Sequence, residues 1–152
     1  MDKKKVLRHS IYEKDERSPG LLFWRSFQNW QRRIRVVLDP VGVTQVQYSI
    51  LAATSYLASD GSIVMQQDVA NALSMDKMMV SDVVKILLRK KFLQRHPHPE
   101  DARAYALALT SFGNRTLNQC VPLVESVDED FFGSLGTQHK NFMACLKTLS
   151  HF

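Results

Sequence analysis

Apolar residues recur at steps of three and four along most of this chain, and the pattern changes to strict alternation at one place only. After Ser18-Pro19, a capping residue followed by a proline suited to the first helical position, Phe23, Phe27, Trp30, Ile34 and Val37 fall on one helix face. Pro40-Val41-Gly42 ends that helix. Thr44 is placed to cap a second one, whose apolar side is Val46, Ile50, Leu51 and Leu57, and Ser59-Asp60-Gly61 follows it as a turn.

A β-prone patch, Ile63-Val64-Met65, leads into the most informative local pattern. Val69, Ala70 and Leu73 mark the inner side of a short helix, and Ser74-Met75 interrupts the period. Asp76 then caps a longer helix in which Val80, Val83, Val84, Leu87 and Leu88 recur. Two helices joined so tightly, the second with a stiff β-branched inner face, predict a helix-turn-helix. Next, Tyr105, Leu107 and Leu109 alternate with Ala104, Ala106 and Ala108, so residues 92–95 and 103–110 predict a β-hairpin with its tip at 97–102.

From Ser111 a long helix carries Leu117, Val121, Val124, Val127, Phe131 and Phe132, with a bend expected at Pro122. Gly133 and Gly136 mark a break, Thr137 is the expected cap of a last helix, and Phe142, Leu146 and Leu149 line one side of it. The terminal helices hold more apolar surface than the central elements can cover. They are expected to bury it against the first helix and against a second copy of the chain. Residues 1–17 are dense in charge without periodicity and read as a mobile or partner-dependent arm.

The length of 152 residues fits one domain, and 45% hydrophobic with 23% charged residues are ordinary globular values. Lys and Arg number 20 against 15 acids, a formal net charge of +5. Lys85, Arg89, Lys90, Lys91 and Arg95 form a run without an acid, a candidate phosphate-facing surface or simply a solvated helix face. Cys120 and Cys145 lack CxxC spacing and no signal peptide precedes them, which points to a reduced, cytoplasmic protein with both thiols buried. No apolar run approaches the roughly 20 residues of a membrane span, so no membrane partner is expected.

Taken in order, these elements resemble the MarR (multiple antibiotic resistance regulator) family of winged-helix transcription factors. The likeness rests on DVANALSMDKMMVSDVVKILLRKKFLQR and, above all, on RHPHPEDARAYALALTSFG. The second stretch is similar to the family's wing signature, with Asp101, Arg103, Leu107, Leu109, Thr110 and Gly113 standing for Asp-x-Arg, alternating apolar residues, Leu-Thr and Gly. The resemblance covers about residues 18–152 and implies a mainly α fold with a small β-hairpin wing. A winged helix-turn-helix lobe would span 44–110, and helical dimerisation regions 18–40 and 111–152. It further implies a homodimeric repressor on a pseudo-palindromic double-stranded DNA operator, without a cofactor.

In the family the wing arginine enters the minor groove. That role falls here on Arg103, with Asp101 as its orienting partner and Arg95 and His98 beside them. The recognition helix would point Lys77, Met78, Met79, Ser81, Asp82 and Lys85 at the major groove. Relatives are commonly richer in Ser, Thr and Arg on that face. Asp82 repels phosphate but suits a cytosine amino group, and Met78 and Met79 suit thymine methyls. Met65 stands where a Ser or Thr helix cap is usual.

Family members often bind a small aromatic or anionic effector between the dimerisation helices and the lobe. Trp24, Phe27, Trp30, Tyr48 and Tyr56 are the candidate lining, with Arg25 or Arg32 as counter-charge; an aromatic dimer core is the competing reading. Some relatives sense oxidants with a thiol near the first helix, where this chain has none, leaving Cys120 and Cys145 as the alternatives. The His96-Pro97-His98-Pro99-Glu100-Asp101 tip contains metal-ligand and acid-base residue types, but its prolines hold the backbone extended and oppose convergence. A stiffened turn is the simpler account. With no Gly-rich phosphate loop, nucleophile elbow or HExxH spacing, enzymatic chemistry is not expected. A protein-interaction module centred on Met78 and Met79 is the rival from another class.

Overall fold

A computed structural model describes residues 18–101 and 103–150. The charged arm at 1–17 lies outside the described residues. Helix α1 (Pro19–Leu38) begins as its Ser-Pro pair dictates, Ser18 Oγ accepting from the Leu21 N–H at 3.4 Å. A 3-10 turn (Asp39–Val41) and Gly42, in the left-handed region at φ 74°, turn the chain into α2 (Gln45–Leu57). This helix opens on a capping box: Thr44 Oγ1 accepts from the Gln47 N–H at 3.2 Å, and Gln47 Oε1 from the Thr44 N–H at 3.3 Å.

The predicted helix-turn-helix is α3 (Gln66–Ala72) and α4 (Lys77–Arg89). Met65 sits at the cap position of α3 without a hydroxyl to offer; the Asp68 N–H donates to the Met65 carbonyl at 3.0 Å instead, and Asp68 Oδ2 accepts from the Met65 N–H at 2.8 Å. The turn itself is a Schellman closure. Ser74 N–H donates to the Asn71 carbonyl at 3.1 Å and Met75 N–H to the Ala70 carbonyl at 2.9 Å, which puts Ser74 at φ 50°. Asp76 then accepts from the N–H groups of Met78 and Met79 at 2.9 and 3.0 Å, starting α4. The far end of α4 closes in the same way, from Lys91 to Leu88 at 3.0 Å and from Phe92 to Leu87 at 2.9 Å, with Lys91 at φ 59°. Both left-handed positions favour glycine but hold a serine and a lysine.

Strands β1 (Leu93–Pro97) and β2 (Tyr105–Leu109) pair antiparallel, with Leu93 opposite Leu109 and Pro97 opposite Tyr105. The β-prone patch pins this hairpin to the lobe: Leu107 N–H donates to the Val64 carbonyl at 2.7 Å, and Met65 bridges Ala106. Helix α5 (Ser111–Gly133) runs on across Pro122 without breaking. The last helix, α6 (His139–Leu149), differs from expectation at its start. Thr137 lies inside a 3-10 turn (Gly136–Gln138), so Gln138 occupies the cap position and no side chain caps the helix.

One core unites the elements: Ile34 and Leu38 from α1, Ile50 and Leu51 from α2, Val80, Val84 and Leu87 from α4, and Leu117, Cys120 and Val124 from α5. Helices α1 and α5 are tied by Trp30 Nε1–H, which donates to Asp128 Oδ1 at 2.7 Å, and by the Arg33 guanidinium 5.4 Å above the Phe131 ring. The aromatic stripe of α1 is covered only over its C-terminal half. Phe23 and Trp24 are 62% and 59% exposed, and α6 buries none of its residues.

Thr110, the cap of α5, joins three elements. Its hydroxyl accepts from the Gly113 N–H at 2.9 Å and donates to the Lys91 carbonyl at 2.7 Å, while its own N–H donates to the Phe92 carbonyl at 3.0 Å. Gly113 permits this contact because a Cβ there would stand 2.0 Å from the Phe92 oxygen. Gly113→Ala is expected to cost about 3 kcal/mol or more, since the obstacle is backbone and cannot rotate away. Ser74→Gly and Lys91→Gly are expected to stabilise by about 0.5–1 kcal/mol each, by relieving left-handed strain. Denaturant midpoints at fixed protein concentration read all three; an unchanged midpoint for Gly113→Ala would contradict the close contact.

Candidate nucleic-acid interface

Burial of Val80, Val84 and Leu87 fixes how α4 is rotated, and the opposite face carries Met78, Asp82, Lys85 and Arg89, spaced four, three and four. All four are exposed, Met78 at 76%. Of the other residues assigned to this helix, Lys77 and Met79 are exposed and Ser81 lies half-buried on the flank. Arg89 completes the outer stripe; it was expected within the basic run but not among the recognition-helix contacts. Its spacing from Met78 was the signal available for it.

The basic run does not act as one surface. Lys85 Nζ meets Asp82 Oδ1 at 2.9 Å, with both side chains largely in solvent (62% and 71% exposed). Lys90 turns the other way: its ammonium donates to the Gly42 carbonyl at 2.9 Å and to Gln47 Oε1 at 3.2 Å, and lies 5.9 Å from the centre of the Phe92 ring. It ties the end of α4 to the turn after α1. Lys91 is spent on the helix stop, and Arg95 lies out on the hairpin, its guanidinium 5.9 Å from the centre of the Tyr105 ring.

At the hairpin tip the chain folds through its own backbone. Glu100 N–H donates to His98 Nδ1 at 3.2 Å, His98 N–H to the Ala104 carbonyl at 3.0 Å, and Arg103 N–H to Asp101 Oδ1 at 2.9 Å. Asp101 therefore meets its expected partner Arg103 through the main chain. A carboxylate two residues before an amide closes an Asx-type turn more readily than it meets the end of a long side chain. Arg103 is exposed at the tip. Among the described residues, no three His, Cys, Asp or Glu side chains gather as a metal site.

The aromatic candidates separate. Phe27 and Trp30 are in ring contact, with centroids 6.0 Å apart. Tyr48 lies half-buried near Asp128, the acceptor of the Trp30 indole; burial first, then the carboxylates of Asp128 and Glu125 and the Cys120 thiol, push its hydroxyl pKa up. Trp24 and Tyr56 stand out in solvent, Tyr56 at 79%, so the five residues do not form one lining. An open groove of about 600 Å3 runs instead along Asp82, Lys85, Ile86, Leu88 and Arg89. The cysteines also separate: Cys120 is buried, but Cys145 is exposed because nothing among the described residues covers that side of α6.

A tight helix-turn-helix with an outward second helix, flanked by a two-stranded hairpin and backed by paired terminal helices, defines a winged-helix protein. The MarR family profile matches residues 43–105. Over 141 residues, 93% of this chain and 95% of the relative, it is 34% identical to the HTH-type transcriptional regulator YdcH of Bacillus subtilis (strain 168). The chain belongs to the MarR family, whose members are transcriptional regulators and not enzymes. Its fold is shared with BpsR of Bordetella bronchiseptica, from a structural study of DNA-binding regulation by 6-hydroxynicotinic acid (TM-score 0.81, 23% identity, 93% of this chain and 98% of that one). A cysteine-to-serine variant of MarR from E. coli complexed with operator DNA is similar too (TM-score 0.76, 22% identity, 90% and 96% covered). No helix among the described residues is long and apolar enough to cross a membrane.

Burial raises the Cys120 thiol above its ordinary 9.0, so its thiolate is scarce in the folded protein. Alkylation of the native protein at pH 8 is expected to label Cys145 within minutes and Cys120 far more slowly; equal rates would contradict the burial. The raised Cys120 and Tyr48 groups hold their protons longer folded than unfolded, so stability is full below their ordinary values of 9.0 and 10.0 and declines as pH rises through and above them. Denaturant midpoints between pH 8 and 11 check that direction.

Proposed function

We propose that this chain is a cytoplasmic, homodimeric, ligand-responsive repressor that binds a pseudo-palindromic DNA operator. The observation that carries the reading is the outer face of α4, where Met78, Asp82, Lys85 and Arg89 lie in line and no element among the described residues covers them. A helix presented in this way fits a major groove, and a narrow hairpin with Arg103 at its tip fits the adjacent minor groove. Lys77, Met79 and Ser81 would flank the major-groove contact, while Arg95 and His98 would follow the wing along the backbone.

Dimerisation is supported by the apolar surface that the described residues leave bare: Leu22, Phe23 and Trp24 on α1, and Met143 and Leu149 on α6. Residues 18–40 and 111–152 pair with a second copy in this reading, and each lobe at 44–110 serves one half-site about 34–36 Å from the other. Lys90 couples the two regions, because the turn after α1 and the end of α4 share its ammonium. A ligand that moves the junction of α1, α2 and α5 thus changes the spacing of the recognition helices, and binding there selects a dimer that no longer fits its operator.

Phe27, Trp30 and Tyr48 are the residues proposed to meet that ligand. The carboxylates of Asp128 and Glu125 beside Tyr48 favour a neutral or cationic aromatic over an anion. Selection from random duplex DNA is expected to enrich an inverted repeat, with Arg103→Ala lowering affinity for it about tenfold. About six phosphate contacts per dimer would give a slope near −5 for log K against log[salt]. Sedimentation showing a monomer would overturn the dimer. Weak, unselective DNA binding indifferent to Arg103 would favour a protein-interaction role for Met78 and Met79 instead.

A further inference from the structure

Asp82 is the anomaly on the outer face of α4. A carboxylate on a DNA-facing helix is repelled by phosphate, and as an acceptor it has only two kinds of partner on the base edges of the major groove, the amino groups of cytosine and of adenine. It does not stand alone: Lys85 Nζ lies 2.9 Å from Oδ1, one helical turn along the same stripe. The ion pair is well exposed, so it contributes little to stability, and its geometry is available to a ligand.

Resting on the assignment of α4 to the major groove, we infer that Asp82 and Lys85 act as one joined acceptor and donor that reads a single C·G base pair in each half-site. The ammonium has three N–H donors, of which the carboxylate takes one. Two remain, directly beside the free carboxylate oxygen. Across a C·G pair the major groove presents the cytosine N4 amino donor and then two acceptors in succession, guanine O6 and N7. The carboxylate accepts from N4 while the ammonium donates to O6 and N7. An A·T pair instead places its amino donor between single acceptors, adenine N7 and thymine O4, so one ammonium proton is left without a base acceptor.

The pairing also explains how an acid is accommodated on this surface. Lys85 offsets the charge of Asp82 against the phosphates, and Asp82 directs the lysine to a base instead of the backbone. Removing the acid releases Lys85 to bind phosphate without regard to sequence.

The test is selection from random duplex DNA with wild type, Asp82→Ala, Asp82→Asn and Lys85→Ala, followed by salt titration of binding to the enriched site. Wild type is expected to enrich an inverted repeat containing one C·G pair per half-site that is lost with Asp82→Ala, the remaining positions persisting. Preference for C·G at that position should fall about tenfold. The slope of log K against log[salt] should steepen by about one per subunit as Lys85 turns to phosphate. Asp82→Asn, whose amide pairs bidentately with adenine, should move the preference to A·T. An inverted repeat enriched equally by wild type and Asp82→Ala would overturn the pair while leaving the DNA-binding role intact, and so would wild-type selection of A·T at the position that Asp82→Ala relaxes. Failure of wild type to enrich any motif would remove the DNA-binding role and this inference with it.

Discussion

The hydroxyl of Thr110 holds the place on which the lobe depends. It donates to the Lys91 carbonyl and accepts from the Gly113 amide, and in doing so fixes the end of α4, the start of β1, the end of β2 and the first turn of α5 within one set of hydrogen bonds. Each partner is a backbone group that its own element leaves unsatisfied: the Lys91 carbonyl lies past the helix end, and the Gly113 amide is in the first helical turn. The angle between recognition helix and wing follows from this joint. Nothing larger than a hydrogen fits on the α-carbon of residue 113, so the joint is also a steric lock.

Two further ties hold the terminal helices, one to the lobe and one to each other. Lys90 anchors the C-terminal end of α4 to the turn after α1, and Trp30 anchors α1 to Asp128 on α5. Both join a charged group to a hydrogen-bonding partner, Asp128 in partly buried surroundings and Lys90 at an exposed site, and charge-assisted contacts of this kind are stronger than neutral ones. In the proposed mechanism, a shift of α1 against α5 reaches α4 through these two contacts. This architecture suits a regulator whose output is the placement of one helix.

The charge pattern supports the same division of labour. A net charge of +5 is modest, and within the basic run only Lys85 and Arg89 stay on the outer face of α4, with Asp82 one turn before Lys85. Lys90 serves the scaffold and Lys91 the helix stop. On the proposed operator, a surface tempered in this way would depend less on bulk attraction to phosphate and more on what its side chains find at the base edges.

The caps at Ser18, Thr44 and Asp76, the break at Ser74 and the alternation of β2 were all legible in the sequence, because caps and breaks depend on partners within about four residues and alternation is written residue by residue. The same locality carried the family resemblance, whose wing signature is a string of such features, down to the Thr and Gly now seen in the joint. Thr137 was misplaced because a 3-10 turn and a helix start draw on the same residue types. What only the tertiary structure decided involves distance. Trp30 meets a carboxylate 98 residues away, Lys90 turns back to the loop after α1, and Gly113 is required by a carbonyl in another element. Trp24 and Tyr56 face solvent although they share sequence segments with Phe27 and Tyr48. Periodicity determines which face of a helix is apolar; only packing determines what covers that face, and which polar group is left within reach of another.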